Sequence, residues 1–284
     1  MSDLRQLSAA DFPTLLHEIP DPPKKLWLRG DIPSGDRKLL TVVGSRRMTP
    51  YGKQACEHII RGLANTPIAI VSGLALGTDA QAHRVALDVG LPTIAVPGSG
   101  LDWNVVYPRS HERLAREIVD KGGALLSEYE PSFRATIWSF PRRNRIMAGM
   151  SHATLIIEAE LKSGTLITMR LAADYNREVM AVPGHISSAF SRGPHMLIKK
   201  GAALVENADD VLEVLGLKRA EARSAAMPPL SSSEQKVWDI LSSPQSKDNL
   251  LRNLKLPIGE AQALLAVMEI KGYIKEELGE MRRM

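Results

Sequence analysis

The sequence predicts an α/β protein: a doubly wound, mostly parallel sheet followed by a small helical unit. Three observations carry this reading. From Leu39 to about Gly216 short apolar runs recur, LLTVVG, IAIVSG, TIAVPG, ALLSE, ATLIIEA and VMAVPG, apolar at consecutive positions and rich in β-branched residues. Strands of that kind are buried on both faces, as in a parallel sheet covered by helices. Between them lie stretches such as YGKQACEHIIRGLAN and TLITMRLAADYN, with apolar residues every three or four positions, the period of a helix with one buried face. Sustained strand–helix alternation is the pattern of a doubly wound fold.

Taken in order, residues 1–37 read as a peripheral lead-in, because Phe12 to Asp36 holds five prolines and few periodic positions. Residues 38–217 hold the sheet and its helices. Residues 218–230 are rich in Ala, Pro and Ser and run into MPPLSSSE, the composition of a linker. Residues 231–284 read as three short helices, Ser231–Ser243, Lys247–Leu254 and Ile258–Lys271, with a turn at Gly272-Tyr273-Ile274. Ser231 with Glu234 three residues on is a capping-box pattern. There is no internal repeat.

Composition narrows the class. The 284 residues are 44% hydrophobic and 24% charged, as in an ordinary globular protein of about two domains. The formal charge of +4 permits an anionic partner without requiring one. No apolar run approaches the roughly 18–20 residues that span a bilayer, and the N-terminus has no basic region followed by an apolar one, so no signal peptide is expected. One cysteine, Cys56, excludes an intramolecular disulfide framework and a Cys-cluster zinc site and fits a reducing cytoplasm. Cys56 shares a helical face with Ile59, Ile60 and Leu63, which points to a buried, inert thiol.

Five glycine-containing loops each follow a strand: Gly44-Ser45-Arg46-Arg47, Ser72-Gly73-Leu74-Ala75, Pro97-Gly98-Ser99-Gly100, Lys162-Ser163-Gly164-Thr165 and Pro183-Gly184. In an open parallel sheet the C-terminal strand ends face one crevice. Small residues there admit a ligand close to the backbone, and helix N-termini and turn N–H groups favour phosphate. A single loop of this kind reads as a tight turn; five at one end of a sheet argue for an anion crevice. None is a cofactor fingerprint. There is no GxGxxG, no GxxxxGK[ST] and no GxSxG, which argues against dinucleotide binding, triphosphate hydrolysis and serine-hydrolase chemistry, and no cofactor or metal is expected.

The most distinctive stretch is Ser139-Phe140-Pro141-Arg142-Arg143-Asn144-Arg145, three arginines within four positions beside an aromatic ring. Arginine pairs with phosphate bidentately and stacks on bases, and a ring near a basic groove is a base-stacking candidate. The other reading open here is that the arginines begin and solubilise a helix while Phe140 fills core. Trp138 competes with Phe140 as the stacking ring, although its indole suits a packed, hydrogen-bonded position equally well. Asp79 and His83 stand at i and i+4, where a hydrogen bond or ion pair within the helix is expected rather than a metal site. Glu158 and Glu160 follow a strand, where a carboxylate serves as a general base or bonds a neighbouring loop.

These stretches, in order and spacing, resemble the DNA-processing protein A family (DprA, also called Smf). The resemblance is carried by Val43-Gly44-Ser45-Arg46, Tyr51-Gly52, Val71-Ser72-Gly73-Leu74-Ala75 with Gly77-x-Asp79-x-x-Ala82-His83, and Thr93-Ile94-Ala95-Val96-x-Gly98-x-Gly100-x-Asp102. Further on come Tyr107-Pro108, Phe140-Pro141-x-Arg143-Asn144-Arg145-Ile146, Glu158-Ala159 with Ser163-Gly164, Pro183-Gly184 and Ser191-x-Gly193. It runs from about Pro20 to Leu215. It implies a Rossmann-like domain that binds single-stranded DNA, dimerises, and helps load the recombinase RecA onto incoming strands in natural transformation, without catalysis. The residues expected at the DNA are Ser45, Arg46, Ser72, Gly73, Phe140, Arg142, Arg143, Asn144, Arg145, Lys162, Ser163 and Gly164. Of these, Arg46, Arg143 and Arg145 are expected on phosphates. Met196, Leu197 and Ile198 are expected either at the dimer contact or packed on the last strand. The chain departs from the family pattern with Thr78 in Gly77-Thr78-Asp79 and with His195, where the family has an asparagine at a loop contact. The 37 residues before the first strand are too few for the N-terminal helical domain of many members.

The C-terminal unit resembles the family's winged-helix domain. From Pro228 onward eight positive and eight negative residues cancel, and the expected recognition helix holds Glu260 and Glu269 against Lys271. That is a poor phosphate-binding face, which favours a protein-contact role. A second function class stays open, a phosphoribohydrolase-like nucleotide-processing enzyme. Glu158 and Ser163-Gly164-Thr165 loosely match its pattern, while the missing Pro-Gly-Gly-x-Gly-Thr loop and the arginine stretch speak against it.

Overall fold

A computed structural model describes residues 4–33, 35–218, 230–277 and 279–283. They divide into two compact units, broken near residue 220; the segment read as a linker lies largely outside the described residues.

In the larger unit β1 (Arg5–Leu7), β2 (Leu26–Gly30), β3 (Lys38–Val43), β4 (Ile68–Ser72), β5 (Thr93–Ala95), β6 (Ala124–Ser127), β7 (Ala153–Ile156), β8 (Glu178–Ala181) and β9 (Ala203–Leu204) form one sheet, in the order β1-β2-β6-β5-β4-β3-β7-β8-β9. Strands β3 to β9 pair in parallel, and β1 and β2 add an antiparallel edge beyond β6. The consecutive apolar positions have a direct cause. Side chains alternate between faces, so Leu40 and Val42 enter one core with Ile59 and Ile60, while Leu39 and Val43 enter another with Ile146 and Met147. The helices α1 (Pro50–Gly62), α2 (Thr78–Asp88) and, late in the chain, α7 (Ala208–Val214) pack in the first core, and α3 (Glu112–Asp120) joins α2 in a neighbouring cluster around Ala95 and Leu125. In the second core lie α4 (Ser139–Met150) and α5 (Thr165–Asp174), with α6 (Arg192–Lys199) packed against it. Cys56 is fully buried in the first core, and burial pushes its thiol up to about 12, as expected of an inert group.

The chain leaves β3 outward through β4, β5 and β6, then returns to β7 beside β3. The point between β3 and β7 is therefore the topological switch, where ligands bind in open sheets of this kind.

The lead-in is not peripheral. It supplies β1 and β2, and Leu7, Phe12, Leu16, Ile19, Leu26 and Leu28 are buried. Prolines flank β2 without entering it, which an edge-proximal strand tolerates. Asp79 and His83 do not pair with each other. Asp79 accepts from the Gly73 and Ala75 N–H groups (3.1 and 3.3 Å), and the His83 Nδ1 meets the Thr93 hydroxyl at 2.7 Å. At the departure from the family pattern, the His195 ring lies 3.0 Å from the Gly184 carbonyl, so a loop contact is still made there.

The smaller unit has α8 (Ser232–Ile240), β10 (Gln245–Ser246), α9 (Lys247–Leu254), α10 (Ile258–Ile270), β11 (Ile274–Glu277) and β12 (Glu280–Arg283). The three strands pair antiparallel in the order β10-β12-β11, a helical trio closed by a hairpin wing. Val237, Leu250, Leu265, Met268 and Met281 fill its core. Ser231 and Glu234 form the capping box, and Lys271 from the end of α10 reaches Glu234 at 2.7 Å. The Lys271 ammonium first, then the Ser231 groups, hold that carboxyl down to about 2. Among the described residues no helix is long and apolar enough to cross a membrane.

Candidate nucleic-acid interface

At the switch point the β3 loop (Gly44 to Arg47), the β7 loop (Glu160 to Thr165) and the N-terminal half of α4 enclose a crevice of about 670 Å³. Thr165 joins two of its walls: its hydroxyl donates to the Gly44 carbonyl at 3.0 Å. The Ser163 hydroxyl lies 3.0 Å from that of Thr165 and accepts its N–H. On the third wall α4 turns Phe140, Arg143, Asn144 and Met147 toward the crevice, Arg143 and Met147 from its buried depth. Their spacing of i, i+3, i+4 and i+7 is one helical face.

Phe140 is half-buried. Its ring packs at 5.5 Å against Tyr107, and the Arg46 guanidinium stands 5.3 Å from its centre. The backbone at Gly98 lies close beneath; a Cβ there would sit 2.6 Å from the ring. A ring backed by glycine and topped by a cation presents an aromatic surface inside a polar cleft. The exposed cations at the mouth are Arg46, Arg47 and Lys162, with Arg47 3.6 Å from Glu160. An exposed pair of that kind is weak and exchanges readily for another anion.

Arg143 is a different kind of residue. It is buried and donates Nη1 to the carbonyls of Gly73, at 2.7 Å, and Val96, and Nε to the Asn144 amide oxygen at 3.2 Å. A Cβ at Gly73 would overlap the guanidinium, so the glycine is there to let the arginine in. Burial pulls Arg143 down to about 10, opposed by the charge of Asp79. Asp79 is itself raised by burial, opposed by Arg143 and the two loop N–H groups. Arg143 thus ties the loops after β4 and β5 together from beneath the crevice.

The structure separates the expected site residues. Ser45, Arg46, Phe140, Asn144, Lys162, Ser163 and Gly164 line the crevice, and Arg143 forms its floor. Ser72, Gly73, Arg142 and Arg145 are not in its lining. Ser72 is buried with its hydroxyl on the Val42 carbonyl at 2.7 Å. Arg145 is buried on the opposite face of α4, paired with Glu128 and, at 3.4 Å, with Asp21. A phosphate reading for it is therefore corrected: its guanidinium is consumed inside the protein. Arg142 is exposed on that same outer side and lies 3.5 Å from Glu128.

Glu158, the general-base candidate, accepts from the Thr49 N–H (2.9 Å) and hydroxyl (2.5 Å) at the start of α1, and it is not in the crevice lining. It is the loop-bonding carboxylate of the two readings. Sequence reasoning left out Arg47, Tyr107, Ile137, Ile167 and Phe190, which also line the crevice. Arg47 and Tyr107 belong to quoted motifs, Gly44-Ser45-Arg46-Arg47 and Tyr107-Pro108, without being assigned to the site; Ile137, Ile167 and Phe190 carry no local signal.

The model of the family described as DNA recombination-mediator protein A matches residues 4–216, and that of the DprA winged helix domain matches 221–280. Protein Smf of Escherichia coli K12 is 43% identical over 204 residues, 72% of this chain and 54% of its own length, so the chain spans about half of that relative. DNA processing protein DprA of Streptococcus pneumoniae R6 is 42% identical, over 71% of this chain and 70% of its own. The X-ray structure of the Streptococcus pneumoniae protein superposes with a TM-score of 0.67 at 39% identity, covering 74% of each chain. DNA processing protein A of Helicobacter pylori, whose structure is described for its single-stranded DNA binding mode, superposes at 0.66 with 32% identity, covering 76% of this chain and 98% of its own. On the family match, the shared sequence and the shared fold, the chain belongs to the DNA recombination-mediator protein A family.

Proposed function

We propose that the protein binds single-stranded DNA in the crevice between β3 and β7 and hands it to the recombinase RecA in recombination and natural transformation, acting as a homodimer in the cytoplasm and without catalysis. One observation carries the binding step: the half-buried Phe140 ring, with Arg46 over it, inside a crevice edged by Arg47 and Lys162. Phosphate contacts alone hold any polyanion. A ring that accepts an unpaired base selects single strands, because duplex bases are already stacked on each other. The Helicobacter pylori relative, described for binding single strands, supports the same reading.

The dimer reading rests on less of α6 than its sequence offers. Leu197 and Ile198 pack against the protein's own core, and Met196 and Leu197 line a second cavity between α5 and α6; Met196, which has no part in that core contact, is the residue left to meet a partner copy. Linking two crevices raises avidity on a long strand. The test is fluorescence anisotropy with labelled oligothymidylate across a salt series. Arg46→Ala should lose about 1–3 kcal/mol, the scale of a charge-assisted hydrogen bond, and flatten the salt dependence. An unchanged slope would remove Arg46 from the site. RecA filament growth on strands already coated by a single-strand binding protein measures the loading step, and sedimentation measures the dimer.

A further inference from the structure

We propose that Trp138, with Ile137 and Arg142, forms a second nucleotide site on the outer rim of the crevice, where an unpaired base of the strand leaving the crevice stacks on the indole. This rests on the crevice being the single-strand site.

Trp138 is 78% exposed and Ile137 73%. The other three tryptophans are all partly buried, Trp103 beneath the Arg29 and Arg116 guanidiniums and Trp238 beneath Arg283. Among the described residues Trp138 is the tryptophan most open to solvent. A tryptophan is rarely left so open, since burial of its ring is among the largest apolar gains a side chain can make. Contiguous exposed apolar surface rimmed by polar groups marks an interaction site.

Its position says what covers it. Ile137 is part of the crevice lining, and Trp138 follows it at the start of α4, so the exposed apolar pair begins in the crevice wall at Ile137 and turns at Trp138 onto the outer side of the helix, away from Phe140. Trp138 already has helical backbone angles, φ −82° and ψ −24°. Arg142 therefore lies one turn on, at i+4 on the same face, with its side chain 64% exposed and its Nε 3.5 Å from Glu128. The arrangement repeats that of the crevice: an aromatic ring for a base and an arginine nearby for a phosphate. A polynucleotide with one base against Phe140 must continue past the rim, and the cationic mouth favours a polyanion there over an acidic or neutral protein surface. Base–aromatic stacking tolerates any base, which suits a protein that handles strands of any sequence.

The full chain is titrated with thymidine monophosphate, which fills the crevice alone, and with a long oligothymidylate, which reaches both sites. Trp138→Ala should weaken the long strand by about tenfold and leave the mononucleotide unchanged, and Trp138→Phe should recover part of the loss. Tryptophan emission of the wild type should be quenched by the long strand, and that quenching should vanish in Trp138→Phe. Arg46→Ala separates this proposal from the one beneath it. If Arg46→Ala loses both ligands while Trp138→Ala binds the long strand as the wild type does, the rim site is wrong and the crevice stands. If Arg46→Ala also retains both ligands, the crevice reading falls and the rim site with it. A Trp138→Ala protein that changes its sedimentation but not its affinity for the long strand would make the patch a contact between copies and overturn the proposal. The side chain is exposed, so the variants should melt with the wild type.

Discussion

Replacing Arg143 by alanine should destabilise the larger unit far more than it weakens any single phosphate contact. The guanidinium is buried and donates to the carbonyls of Gly73 and Val96, and its charge offsets the buried Asp79. Alanine leaves two buried carbonyls without that donor, each costing about 1–3 kcal/mol, and a carboxylate without its opposing cation. Breaking a buried charge arrangement from one side typically costs about 3–5 kcal/mol, or about 6–20 °C in melting temperature for a unit of roughly 200 residues. Thermal melts of the full chain by circular dichroism measure this. The salt slope of DNA binding should stay at its wild-type value, because a cation already committed to carbonyls releases no counterion when DNA binds. A variant that melts with the wild type but loses salt slope would refute the reasoning and place Arg143 on a phosphate, as the sequence reading does.

The same substitution has a pH signature. Burial raises the Asp79 carboxyl and Arg143 opposes that rise, so removing Arg143 raises the folded-state pKa further above the unfolded one. A carboxyl raised in the folded state binds its proton more tightly folded than unfolded, so stability grows as pH falls through that folded-state value. The deficit of Arg143→Ala should therefore be largest near neutral pH and shrink on acidification. A deficit that widens with acid would contradict it.

Phe140→Ala should lose about 1–3 kcal/mol of single-strand affinity while duplex binding changes little. Its stability should fall by less than the roughly 3–5 kcal/mol of a fully buried ring, since the ring is half-buried; anisotropy and melts on one preparation decide both, and an unfolded variant would make Phe140 core. His83, buried against Thr93, is held down to about 3 from 6.5 by burial, so the unfolded chain takes up a proton that the folded one refuses. Stability from this group is present above 6.5 and lost as pH falls toward 3. Urea titrations should show His83→Gln with a flatter profile across that window than the wild type, and identical slopes would exclude the histidine as the source.

The sheet was legible because double burial writes itself into consecutive positions. Leu39, Leu40, Val42 and Val43 divide between two cores, and the β-branched content and shortness of the run favour a strand over a buried helix. The edge at β2 is harder to see in the sequence, although Leu26 and Leu28 alternate inward across Trp27 and Arg29. The prolines around it carry a loop signal, and nothing local says that the antiparallel partner is β6, about a hundred residues on.

Inside the site, helical period rather than residue type decides which arginines reach the crevice. Arg142, Arg143 and Arg145 read as one cluster in a linear sequence, but they lie on a helix. Counting from Phe140, positions 143, 144 and 147 share its face, and these line the crevice. Arg142 and Arg145 fall on the other side, and both meet Glu128 there. The helical period, applied to this stretch, separates the arginines without any structure. What it leaves unread is the difference between Arg46 and Arg143. Both adjoin the crevice, one exposed over the Phe140 ring and one buried beneath the glycine loops. That difference depends on carbonyls of Gly73 and Val96 brought together by neighbouring strands. A glycine where a buried guanidinium must pass, Gly73, is the single trace of it left in the sequence.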